Sequence, residues 1–219
     1  MAFAFRTDVY GCVANGRVVV LDLAADRYFA LPTATDAAVQ DWFNGKGLDP
    51  ATTSKLMTAG LIVQSEAGAP RQQVALAPAR SSRLPQQSAS LSLLPPLFPV
   101  FAQIQARHDL KHRPLNDIIS DIRQHKCRKA SHAPPVDGDT LSHITLRYLA
   151  SRRFISGQNE CLRWSIAMVR YLSAYGYYPN LVLGVRMMPF GAHAWVQDGD
   201  TLLNDTVEQV SAYTPILVV

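Results

Sequence analysis

Cysteine is scarce in this chain of 219 residues, which has only three, at positions 12, 127 and 161. So odd and sparse a set excludes a disulfide framework and leaves each thiol to be judged by its own surroundings. Charge is also thin. Charged residues make up 17%, and the net charge of +4 is spread without a dense Lys/Arg cluster. That removes the main argument for a nucleic-acid partner, although a mildly positive balance suits an acidic peptide. Long apolar runs are missing too: the most apolar stretch, LSLLPPLFPVF (91–101), is too short to span a bilayer and holds three prolines. The start, MAFAFRTDVYG, has no charged segment leading into an apolar one, so it does not read as a secretory signal, and a cytosolic protein is expected. What remains is an ordinary globular composition, 48% hydrophobic, long enough for one large domain or two small ones.

Residues 1–65 read as a unit of their own. Two strand-like runs, DVYGCVA and GRVVVLDL, flank Asn15-Gly16, the strongest short hairpin signal. A third run, RYFAL (27–31), follows. TATDAAVQDWFNG predicts a helix with Thr33 or Thr35 as cap, Val39, Trp42 and Phe43 on its apolar face and Gly45 at its end. DPATTSKLMTAG predicts a second helix, capped by Asp49 with Pro50 at the first helical position, before a short strand LIVQ. Three strands, two helices and a final strand make a small winged-helix-like module, or the first part of one larger fold. Residues 66–96 turn rich in Ala, Ser, Gln, Pro and Arg without a period, and read as a linker of which part can pack as an extended arm. Beyond it, VFAQIQARHDL, LNDIISDIRQHKCRK and DTLSHITLRYLASRRF carry helical spacing, CLRWSIAMVRYLSAYG reads as a buried central helix, and LVLGVRM as a strand.

Cys161 opens that central helix. A helix N-terminus lowers a thiol's pKa and offers N–H groups to a tetrahedral oxyanion. The plainer reading is a buried cysteine that packs as a small hydrophobe. Gln158 and Asn159, just ahead, are candidates for a further oxyanion donor, or simply for a loop that caps the helix. Downstream, AHAWVQ places His193, Trp195 and Gln197 on one strand face. If DGD forms a three-residue loop, Gln197 pairs with Thr201 and His193 faces Asp205; a two-residue Asp198-Gly199 turn puts Asn204 opposite His193 instead. A carboxylate stabilises an imidazolium better than an amide does, which favours Asp205. A surface hairpin with one partly buried histidine is the bland alternative. A thiol, a base and an orienting acid in this order, however, make up a nucleophilic site. Trp195 is expected to wall its pocket. His125, Cys127 and His132 fit no zinc pattern, so neither a metal nor another cofactor is expected.

The stretch NECLRWSIAMVRYLSAYGYYPNLVLGVRMMPFGAHAWVQDGDTLLND (159–205) resembles the C-terminal core of the lasso peptide B proteins, leader peptidases among the transglutaminase-like, papain-related cysteine hydrolases. The resemblance rests on Cys-Leu opening a helix with a serine soon after, LVLGVR, PF before AHAW, and LND. Gln197 departs from it, standing where an acid is expected. The resemblance implies a catalytic triad of Cys161, His193 and Asp205, a precursor peptide as substrate, and a separate ATP-using, asparagine-synthetase-like cyclase as partner. Residues 1–65 are similar to the RiPP recognition elements, winged-helix modules that bind leader peptides. That similarity implies strand addition at the edge formed by Arg27, Tyr28, Phe29, Ala30 and Leu31, with the helix of residues 49–59 alongside. Tyr28 and Phe29 should point to opposite faces, one to the core and one to a ligand. The expected fold is therefore α+β: a winged-helix-like module (1–65), a linker (66–96) and a papain/transglutaminase-like cysteine protease domain (97–219) with helices packed on an antiparallel sheet. Two competing readings use the same residues, a non-catalytic leader-binding chaperone and a transglutaminase-type acyl transferase.

Overall fold

The structure, a computed structural model, describes residues 2–65, 76–84, 97–129, 137–152 and 160–219. It divides into two compact units. One comprises Met1–Ala75, Gly184–Ala192 and Tyr213–Leu217; the other comprises Leu76–Leu183, His193–Ala212 and Val218–Val219.

In the first unit, β2 (Val9–Ala14), β3 (Arg17–Asp22) and β4 (Arg27–Ala30) form a three-stranded sheet in that order. Asn15 and Gly16 turn β2 into β3 at φ values of 50° and 75°. Both positive angles are those of the hairpin turn that Asn-Gly favours, and Ala14 pairs with Arg17 across it. Two helices follow, α1 (Thr33–Phe43) and α2 (Pro50–Thr58), and then β5 (Ile62–Gln64), which pairs with the N-terminal β1 (Phe3–Phe5). Phe5, Val18, Val20, Leu31, Val39, Trp42, Leu56 and Ile62 meet in one core. Asp49 caps α2 as expected, its carboxylate accepting from Thr52 N at 2.9 Å.

The start of α1 corrects the threonine cap. Pro32 occupies that position without a side-chain bond, and Thr35 and Asp36 donate their N–H groups to its carbonyl. The polar group of that first turn is spent elsewhere: buried Asp36 takes the N–H of Val18 at 2.6 Å and so ties α1 to β3.

The second unit is mainly helical. α3 (Leu97–His112), α4 (Leu115–Lys129), α5 (Gly138–Ser151) and α6 (Cys161–Ser173) follow in order, and α6 packs on α3 and α5. Arg163 to Val169, with Tyr171 and Leu172, are all buried, which is what the nearly continuous apolar run of α6 requires. After α6 the chain forms β7 (Asn180–Met187), β8 (Phe190–Asp198), β9 (Thr201–Leu202), the short α7 (Val207–Ser211) and β10 (Thr214–Val218), of which Gly184–Ala192 and Tyr213–Leu217 belong to the first unit.

With β6 (Ser81–Ser82) the strands order as β10-β7-β8-β9-β6. The sheet is not wholly antiparallel as expected, because β6 runs parallel to β9. Residues 76–84 fall inside the expected linker, yet they lie along the sheet edge through main-chain bonds such as Arg83 N to Leu202 O at 2.9 Å. A polar segment with no apolar period can do this because the edge asks only for its backbone.

Candidate functional site

Cys161 is the first residue of α6, and Glu160 before it makes no side-chain cap. The thiol is half-buried. It accepts the main-chain N–H of Ala194, from β8, and is hydrogen-bonded to His193. His193 directs Nε2 at Asp205 Oδ2, 2.5 Å away, which leaves Nδ1 for the thiol. The other oxygen of Asp205 accepts from Thr206 N at 2.8 Å.

The electrostatics follow from these partners. Burial pushes the Cys161 thiol up, but the bond with His193, the Ala194 N–H and the imidazolium charge outweigh it, and Cys161 lies below the ordinary thiol value. Burial would lower His193 as well, yet its bonds to Asp205 and Cys161 and their negative charge raise it to about 9. Opposite shifts of this kind favour a thiolate beside an imidazolium, a pair that can attack a carbonyl and protonate a leaving amine.

The hairpin carrying His193 turns in neither of the two expected ways. Asp198 is the last residue of β8 and pairs with Thr201, so the loop is Gly199-Asp200 and Gln197 faces Leu202. Gly199 has a φ of 54°, the sign that the first position of a tight II′ loop demands. This register carries neither Asp205 nor Asn204 opposite His193. β9 ends at Leu202, and Asp205 reaches the imidazole from the bend that follows.

Asn204 serves another purpose. Its Oδ1 accepts from Val196 N at 2.8 Å and its Nδ2 donates to Ser165 Oγ at 2.9 Å. Trp195 is buried and lies stacked behind the His193 ring, with centroids 6.1 Å apart, so it backs the base rather than walling an open pocket. Gln197, where an acid was expected, is buried and fully used. Its Oε1 accepts from Trp195 Nε1 at 3.0 Å, while its Nε2 donates to Ala77 O and Gly199 O. A carboxylate has no proton for those two carbonyls, so the amide suits its surroundings.

Residues 110–218 match the family described as the transglutaminase-like superfamily. The C-terminal half of the chain carries a transglutaminase-like domain. Among curated proteins, the chain is similar to the microcin J25-processing protein McjB of Escherichia coli, at 40% identity over 48 residues. That stretch is 22% of this chain and 23% of the relative, so the chain spans less than a quarter of the relative it matches. No solved structure matches the chain significantly.

The transglutaminase-like domain thus brings together three of the residues singled out in the sequence, Cys161, His193 and Asp205, with Trp195 behind them. Gln158, Asn159 and His132 lie outside the described residues. Ser165, the serine that follows Cys-Leu in the resemblance, had no role assigned from sequence; in the structure its hydroxyl donates to Ala194 O at 3.0 Å and accepts from Asn204 Nδ2 at 2.9 Å. Cys12 is buried and pushed up to about 12, and Cys127 is exposed.

In the first unit, β4 is an edge strand. Leu31 is buried in the core with its carbonyl taken by Arg17 at 2.8 Å, so Arg27, Tyr28, Phe29 and Ala30 provide the exposed part of that edge. Phe29 packs against the core, while Tyr28 meets the ring of Phe190 at 6.3 Å. Among the described residues no group of three or more His, Cys, Asp or Glu is placed to hold a metal, and no helix is long and apolar enough to cross a membrane.

Proposed function

We propose that this protein is a leader peptidase of lasso peptide biosynthesis, using Cys161, His193 and Asp205 as nucleophile, base and orienter. The observation that carries the proposal is the convergence of the three side chains, with the Cys161 thiol depressed and His193 raised by each other and by Asp205. The similarity to a microcin-processing protein and the transglutaminase-like domain support the same reading. Sγ of Cys161 attacks the scissile carbonyl carbon. As the tetrahedral intermediate collapses, the C–N bond breaks and His193 gives its proton to the departing amine of the core peptide. His193 then takes a proton from water, whose oxygen attacks the thioester. The leader leaves as a carboxylic acid and Cys161 is regenerated. Asp205 holds the ring in the tautomer that presents Nδ1 to sulfur throughout.

In this reading residues 1–65 are a RiPP recognition element of winged-helix type and capture the leader as an added strand on β4 at Arg27, Tyr28, Phe29 and Ala30. The protein works in the cytosol without a cofactor, and the freed core passes to a separate ATP-dependent, asparagine-synthetase-like cyclase. Cys161→Ala and His193→Ala should bind a leader–core precursor as the unaltered chain does and fail to cleave it. Cleavage at the normal rate by either variant would sink the proposal.

A further inference from the structure

Four main-chain groups line the edge of β8 just beyond the point where β9 stops pairing, and each finds a partner. Val196 O accepts from Leu203 N at 2.9 Å, the last rung supplied by main chain. The next three groups are met by side chains. Val196 N donates to Asn204 Oδ1 at 2.8 Å, Ala194 O accepts from Ser165 Oγ at 3.0 Å, and Ala194 N donates to the sulfur of Cys161. Asn204 Nδ2 closes the ring by donating to Ser165 Oγ at 2.9 Å.

Ser165 is fully buried and stands four residues after Cys161, on the same face of α6. The helix bearing the nucleophile is thus fastened to the strand bearing the base by a hydroxyl and an amide that continue the ladder where β9 ends. An amide is required at 204, because it must accept from Val196 and donate to Ser165 at once.

We infer that Asn204 and Ser165 are positioning residues, a brace that sets the distance between Cys161 and His193 and aims the Ala194 N–H at the sulfur. The role rests on the cysteine-hydrolase reading of the site, but it is read out on the thiol itself. The test is the pH dependence of Cys161 alkylation by iodoacetamide, followed by peptide mass mapping in the full chain. Four forms are compared: unaltered, Ser165→Ala, Asn204→Asp and, as a control for loss of a hydroxyl on the same helix, Ser173→Ala. Among the described residues the Ser173 hydroxyl bonds within α6, to Arg170 O at 2.8 Å.

The brace predicts that Ser165→Ala and Asn204→Asp raise the midpoint of Cys161 alkylation and slow it at neutral pH by on the order of tenfold. Ser173→Ala should leave both unchanged. In precursor cleavage the two brace variants should lower kcat with little change in KM. Asn204→Asp keeps the acceptor for Val196 and loses the donor to Ser165. It also adds a negative charge that alone raises a nearby thiol, so its shift counts for the brace only where neutral Ser165→Ala shifts the profile the same way. If it fails to fold, Ser165→Ala, which removes a single oxygen, reads the same profile. Folded brace variants whose alkylation profile matches the unaltered chain, or a Ser173→Ala shift of equal size, would overturn the inference. If the unaltered chain cleaves no precursor, the peptidase reading fails while the alkylation profile still decides the brace.

Discussion

A thiol and an imidazole that share one proton can hold it on either partner, and their neighbours decide which. At Cys161 the bond with His193, the Ala194 N–H and the imidazolium charge overcome burial; at His193 the bonds and charges of Asp205 and Cys161 do the same in the opposite sense. Cys12 has burial alone and is pushed up to about 12. Iodoacetamide at pH near 7 should therefore modify Cys161 well before Cys12 and before exposed Cys127; equal, slow labelling of all three would contradict the ion pair. The pH profile of kcat/KM has a worked sign. Activity needs Cys161 deprotonated and His193 protonated, so the rising limb follows the depressed thiol and the falling limb follows His193 near 9. Asp205→Asn removes the largest cause raising His193, so the falling limb should move to lower pH and kcat should drop by a factor on the order of 10³–10⁴. An unmoved limb would mean that Asp205 is not the orienter.

At the scale of elements, Asp36 shows how a side chain can define packing between helix and sheet. Asp36→Ala would leave the buried Val18 N–H without its acceptor and should lower stability by about 1–3 kcal/mol, read as a shifted urea midpoint. The β4 edge gives a second test. Leu31 N bonds to Val18 O, so by the alternation of an antiparallel ladder the N–H of Ala30 points away from β3. Ala30→Pro should then weaken leader binding at least tenfold, by fluorescence anisotropy of a labelled leader, with the melting temperature nearly kept. Undiminished binding would move the leader to another surface.

The helices of the second unit and the first hairpin could be read from the sequence because apolar spacing and Asn-Gly each have one physical solution. The β8–β9 register could not, because Asp198 suits a strand end as well as a loop, and a shift of one residue changes every opposite pair. β6 was equally hidden, since Ser81 and Ser82 join the sheet by their backbones. Asp205 meets His193 from a bend and not from the ladder, so no strand register could have placed it.

At the scale of the whole molecule, one chain carries an open-edged small sheet, β2 to β4, and a transglutaminase-like domain over residues 110–218. On the proposed reading the β4 edge holds the leader and Cys161 cuts at the junction, since binding energy gained away from the reacting bond can position that bond. The chemistry itself is tested most directly by product masses. A leader–core precursor incubated with the chain should give two fragments whose masses sum to the precursor plus one water, ending and beginning at a single peptide bond, and Cys161→Ala should give neither. Cleavage by Cys161→Ala, or a product joined to an added amine with no water gained, would contradict the account.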